Sequence, residues 1–184
     1  TLEPGLYRVP DRLDRDVVDT DFSPYALIVV GPDTGYGEFD DSAAAGALGQ
    51  WSAPILGLGD GGAALFDELG LDIGYLDAWI SSNHNVYPVA PETSYWNHPL
   101  PIEVGAQTLV QLYPEPLREL GVHLPEPVKG ITPIAREEND AVHYPVIAQI
   151  SGTREFLLWG YNAGPQAMTD DGRALLVNVT HALR

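Results

Sequence analysis

Cysteine is absent from this 184-residue chain, so disulfides, thiolate metal sites and thiol nucleophiles are excluded at the outset. Positive charge is scarce as well. Nine Lys and Arg residues stand against 26 Asp and Glu, Lys129 is the single lysine, and the formal net charge is −17. A surface of that sign repels phosphate backbones and anionic bilayers, which argues against nucleic-acid and membrane partners. No apolar run approaches the length that crosses a bilayer. What remains is a 45% hydrophobic chain able to bury a core as one domain, 1–184. Its acidic surface suits solubility, cationic partners or divalent ions.

Residues 1–23 are polar, with a short strand expected near Gly5 to Val9. The continuous apolar run Tyr25 to Val30, closed by Gly31-Pro32, has the pattern of a strand buried on both faces. Ser42 opens an alanine-rich helix that ends near Gln50. A second buried strand, Pro54 to Leu58, runs into Gly59-Asp60-Gly61-Gly62, then into a helix from Ala63 to Leu69 that Gly70 stops. The stretch 71–127 is less regular; strands are expected at Asn85 to Val89 and Gln107 to Tyr113, and a short helix at Pro116 to Leu120. Ile131 to Arg136 reads as a strand, Val146 to Ile150 and Glu155 to Trp159 as a hairpin, and Thr169 as the N-cap of a closing helix.

The segment from Pro54 to Gly70 resembles the class I glutamine amidotransferase pattern, in which a strand reading P-x-x-G-I-C-x-G ends at the nucleophile and a helix follows. Small residues around such an elbow let a tight turn lift one side chain clear of the sheet while backbone N–H groups face the substrate. Tyr25 to Gly35 is similar to that family's preceding strand and oxyanion loop, and Phe156 to Leu183 has its closing order of strand, loop and helix. The resemblance covers about half the chain. It implies a mostly parallel, flavodoxin-like α/β sheet with helices on both faces and a C-terminal β-hairpin and helix.

The resemblance does not bring the chemistry with it. The nucleophile position falls on Gly59, and the family's His-Pro-Glu falls within Gly160 to Pro165, which holds neither histidine nor glutamate. Cysteine-dependent glutaminase activity is therefore excluded. The family's opening strand is also hard to place, which suggests part of a longer polypeptide.

Other features offer rival readings. Gly57, Gly59 and Gly62 spell G-x-G-x-x-G with Asp77 following, the dinucleotide fingerprint, although close strand–helix packing is the plainer cause. Asp60, the one ionisable group on the elbow, reads as a helix cap or, with a shifted turn, as a nucleophile or metal ligand. Asp33, Glu38, Asp40 and Asp41 crowd a glycine-rich loop of the oxygen-rich kind that can hold Ca²⁺, but they do not follow the EF-hand order, so a solvated acidic loop is the plainer reading and no cofactor is expected. The five histidines lack metal-ligand spacing and read as surface or hydrogen-bonded groups, with His143, just before a strand, the one that could face the elbow. Ser81 to Asn85 reads as a polar turn and Ser94 to Asn97 as an aromatic loop suited to sugars or a protein partner.

Two functional expectations follow. One is a non-catalytic amidotransferase-like domain that binds a protein partner or other domains of a longer chain, in a secreted or surface setting rather than the cytoplasm. The other is an anion, nucleotide or sugar site, or a hydrolytic one, on the elbow. Its residues would be Gly59, Asp60, Gly61 and Gly62, with Asp33, His143, Tyr161 and Asn162 around them.

Overall fold

Fourteen elements follow one another in the computed structural model, which describes residues 17–32, 39, 42–105 and 107–183. They are β1 (Ile28–Val30), α1 (Ser42–Gly49), β2 (Ile55–Leu58), α2 (Gly59–Glu68), β3 (Ala78–Asn83), β4 (Asn85–Pro88), α3 (Ser94–Asn97), β5 (Val110–Gln111), β6 (Leu117–His123), β7 (Ile131–Glu137), β8 (His143–Tyr144), β9 (Val146–Ser151), β10 (Arg154–Trp159) and α4 (Asp170–Ala182). The expected strand at Gly5 to Val9 and the acidic loop residues Asp33, Glu38, Asp40 and Asp41 lie outside the described residues.

Seven strands form one sheet in the order β1-β2-β10-β9-β7-β4-β5, and β3-β6-β8 form a second. At one end β1, β2 and β10 are parallel, with Ile28 beside Ile55 and Phe156 beside Ile55 on its other side. From β10 outward every pairing is antiparallel. The fold is the expected α/β one, flavodoxin-like where the strands are parallel and extended by an antiparallel wing. The hairpin of β9 and β10 turns through Gly152 and Thr153, with Gly152 at φ +63°, the positive value a two-residue II′ turn requires.

Alternation along the central strands supplies two cores, one on each face of the large sheet. On one face Phe156 and Leu158 of β10 and Ile55 of β2 meet Ala63, Leu65 and Phe66 of α2, together with Leu120 and Val122 of β6. On the other, Leu157 and Trp159 of β10 and Leu56 of β2 meet Leu175 and Val179 of α4, with Trp96 of α3 completely buried beside them. Helices thus cover both faces.

Local signals set the helix ends. The Thr169 hydroxyl accepts the Gly172 N–H at 3.0 Å and caps α4. At the end of α2, Gly70 takes φ +68° while Leu71 N–H reaches Phe66 O and Gly70 N–H reaches Asp67 O, a Schellman closure. Asn178 bonds both the N–H and the carbonyl of Leu100 and is fully buried, which ties α4 to the segment before it.

Three local readings are corrected. Pro116 to Leu120 is not a helix: from Leu117 onward it belongs to β6, where pairing with β3 overrides the helix propensity of Leu, Arg and Glu. Ser81 to Asn83 is strand rather than turn, because the same pairing engages it. Ser94 to Asn97 is a short helix that anchors Trp96 in the core, so that tryptophan offers no stacking surface.

Candidate functional site

The passage from β2 to α2 has no intervening loop: Leu58 ends the strand and Gly59 begins the helix at φ +50°. That left-handed turn is the shape of an elbow, and glycine adopts it without the steric cost another residue bears. Space is the second reason for glycine here. A Cβ at position 59 would lie 1.9 Å from Asn162 Oδ1 and 2.9 Å from Pro32 Cβ. The helix also comes very close to its own strand, since a Cβ on Gly62 would stand 2.3 Å from Gly57 Cα. Gly57 and Gly62 of the G-x-G-x-x-G run thus make strand–helix contact, while Gly59 makes room for Asn162.

The amide that follows an elbow residue is the one that would face a developing oxyanion. In this chain the Asp60 N–H donates to Asn162 Oδ1 at 2.8 Å. The same amide side chain returns a bond, Asn162 Nδ2 to Asp60 Oδ2 at 2.6 Å, and Arg118 Nη2 donates to Asp60 Oδ1 at 3.0 Å. Asp60 therefore sits in the first turn of α2, where its charge complements the helix N-terminus. It does not cap the helix, because Leu58 holds the N-cap position without a side-chain bond. The Asp60 bond raises the Arg118 guanidinium further above its ordinary range. The elbow is thus closed by a lock of Asn162, Asp60 and Arg118.

Tyr161 and His143 are not part of that lock. They belong to a second constellation, where the two sheets meet. On β6, Glu119 and Gly121 share the face opposite Leu120 and Val122, and the His143 ring of β8 lies over Gly121, where a Cβ would be 1.9 Å from Nε2. His143 Nε2 stands 2.8 Å from Glu119 Oε1, and its Nδ1 stands 3.7 Å from Glu137 Oε2 of β7. Ser81 of β3 donates to Glu137 Oε1 at 2.9 Å. Glu119 is fully buried, and Glu137 and His143 are nearly so.

The cluster runs on through Tyr161. Its backbone bridges Glu119 and its hydroxyl interacts with the Glu119 carboxylate, yet neither that hydroxyl nor Glu119 Oε2 has a well-formed hydrogen bond. The Tyr161 ring rests on Tyr113 at 4.9 Å between centroids, and Tyr113 accepts the Trp159 indole N–H at 3.0 Å. Burial pushes the Glu119 carboxyl above its ordinary range, with the His143 bond acting the other way. Burial opposes the His143 imidazolium, but the Glu119 bond and the charges of Glu119, Glu137 and Asp140 outweigh it and raise that group. The Tyr161 hydroxyl is pushed well up by burial and by Glu119.

Glu119, Glu137 and His143 each offer a ligand atom within 4.8 Å of the others, but the two carboxylates sit on opposite edges of one imidazole, so the cluster as it stands does not fit a single metal ion. Arg118, Glu119 and Glu137 were not singled out by the sequence. They come from two strands, and no local motif links them to His143.

No family model matches the sequence, and no curated protein matches it. Among solved structures, a GMP synthase component from Thermoplasma acidophilum is 13% identical, over 88% of this chain and 74% of that one, with a TM-score of 0.49. A glutamine amidotransferase of Thermotoga maritima is 14% identical, over 90% of this chain and 66% of its own length, with a TM-score of 0.40.

Proposed function

We propose that this chain is a non-catalytic, amidotransferase-like domain with a binding or structural role inside a larger protein. One observation carries the reading: the Asn162 side chain occupies the elbow. Its Oδ1 takes the Asp60 amide and fills the space in which a side chain at position 59 would have to stand. Without a nucleophile, without a histidine or glutamate between Gly160 and Pro165, and with the elbow amide engaged, the turn has no group to start acyl transfer.

Support for a binding role comes from β3, at the edge of the three-stranded sheet. Trp79 and Ile80 are more than half exposed there, beside the still more exposed Leu76. Apolar side chains on a strand edge with no pairing strand among the described residues suit a protein partner or a neighbouring domain.

A ligand on the elbow is the alternative, and it would have to displace Asn162. The test is hydrolysis of glutamine and of simple amide and ester substrates by the purified chain, with Asp60→Asn as its comparison. Both proteins are expected to stay at the buffer rate. Turnover that disappears in Asp60→Asn would overturn the non-catalytic reading.

A further inference from the structure

We propose that the open edge of β3 is a docking strand for an extended, basic segment of another protein or domain, which joins the three-stranded sheet as a fourth strand. The proposal rests on the binding reading above and names the kind of partner that reading leaves open.

Length is the first argument. Six residues, Ala78 to Asn83, run along this edge, against three in β1 and two each in β5 and β8 at the other sheet ends. A short edge strand gives a partner little to pair with, whereas a long one is a template. Long edges are commonly blocked by a charge, a proline or a bulge. The run Ala-Trp-Ile-Ser-Ser-Asn has no charged residue and no proline, and its register with β6 is unbroken.

Backbone direction is the second argument. The Leu124 N–H bonds Val142 O, beside β8, and the Leu120 N–H bonds Gly160 O. Alternation along β6 then turns Glu119 and Gly121 toward β3, where they pair with Ser81 and Trp79. The N–H and C=O groups of Ala78, Ile80 and Ser82 are therefore aimed at the open edge. They repeat at every second residue, the spacing an added strand uses.

Side chains are the third. Trp79 and Ile80 project to opposite faces of the strand, and both are more than half exposed. The Trp79 ring is stacked on His123, with 4.7 Å between centroids and 9° between planes. It is thus held in place before a partner arrives, which lowers the ordering cost of binding. An added strand would lay alternate apolar side chains against Ile80 on one face and Trp79 on the other.

Charge selects the partner. Asp77 immediately precedes β3, and partial burial together with the charges of Asp72 and Asp67 raises its carboxyl above the ordinary range. Among the described residues no Lys or Arg ion pair reaches any of the three. Carboxylates that repel one another at the start of the strand favour Lys or Arg at the matching end of the partner. A second copy of this chain suits the edge poorly, because each copy carries a formal net charge of −17.

The test uses the whole chain and two synthetic peptides of about eight residues, one alternating valine with lysine and the other valine with glutamate. Titration calorimetry should find the lysine peptide bound about tenfold more tightly or better. Amide hydrogen exchange in its presence should slow at Ala78, Ile80 and Ser82, and stay unchanged at Trp79 and Ser81, which already bond β6. Ile80→Pro removes the central outward donor without breaking a bond to β6, and should weaken the lysine peptide about tenfold or more. Asp77→Asn should weaken it about threefold. No binding of the lysine peptide, or equal affinity for the two peptides, would overturn the proposal. So would slowed exchange at the same amides as the concentration of the chain alone is raised, since a second copy would then be the occupant. Should Ile80→Pro fail to fold, the lysine peptide N-methylated throughout decides on the wild-type chain: lost binding supports strand addition, and retained binding overturns it. Hydrolysis by the chain would sink the non-catalytic reading and leave this edge untouched, whereas a silent peptide titration sinks the edge alone.

Discussion

The elbow and the carboxylate–histidine cluster are opposite cases within one small protein. The elbow keeps the outline of a reactive turn, with a strand running straight into a helix through a left-handed residue, but its polar groups are spent on one another. The cluster has groups with real acid–base and ligating capacity, but the two sheets close over it. Shape without free chemistry and chemistry without an opening are different things. The first is recognised from a local run of glycines, the second only from burial and distance. Partners of the elbow lock remain partly in water, where charges cost little, whereas partners of the cluster do not, so removing one group should have very different consequences in the two places.

The largest effect is expected from His143→Ala. It leaves Glu119 and Glu137 as buried carboxylates without their cationic partner, a loss of about 3 kcal/mol or more. The sign of its pH dependence follows from Glu119, whose carboxyl burial holds above the ordinary range. In the folded variant that group binds a proton more readily than in the unfolded chain. Stability of the variant is therefore retained on the acid side and lost as pH rises through the raised value. Urea unfolding of the variant at about pH 5 and about pH 7 checks this, and the variant should be the less stable at the higher pH. An equal, small loss at both would mean that the cluster is hydrated and that the contrast between the two regions is mistaken.

Asn162→Ala sharpens the comparison from the other side. It removes two bonds to Asp60 in a partly buried place, and the freed amide and carboxylate can take up water. The expected loss is about 1–2 kcal/mol, read from the urea midpoint. A loss as large as that of His143→Ala would show that the lock bears the fold, and would weaken the reading of the elbow as a turn that has merely been filled.

Legibility in the sequence follows the same division. Ile55 to Leu58 was readable because a strand covered on both faces leaves a continuous apolar run, and the Schellman glycine Gly70 and the cap Thr169 are local signals; Ile28 to Val30 was found by the same kind of run but is not covered on both faces, since it is an edge strand with Val29 exposed. β6 was not readable. Leu117, Arg118, Glu119 and Leu120 after Pro116 have helical propensity, and only their long-range pairing with Ala78 to Asn83 makes them strand. Glu119 looks like a surface residue in the sequence, because its burial comes from β8 and β7 folding over it. Asn162 was near enough to the expected catalytic segment to be named, but its role as the lock required the distance to Gly59. The antiparallel wing, from β9 to β5, has short strands with mixed polarity, and its order could not be inferred from any one of them.

The smallest effect should come from Arg118→Ala, and it discriminates because it touches the same carboxylate as Asn162. The Arg118 side chain is 44% exposed and its partner Asp60 23%, so the 3.0 Å ion pair competes with water and salt. Its removal should cost no more than about 0.5 kcal/mol, and raising the salt should erase the difference. The double variant Arg118→Ala/Asn162→Ala then measures their coupling. Because both bond Asp60, the two losses should fail to add by a few tenths of a kcal/mol. Strict additivity would mean that Asp60 is held by its place in the first turn of α2 alone, and that the elbow is closed by Asn162 without help from β6.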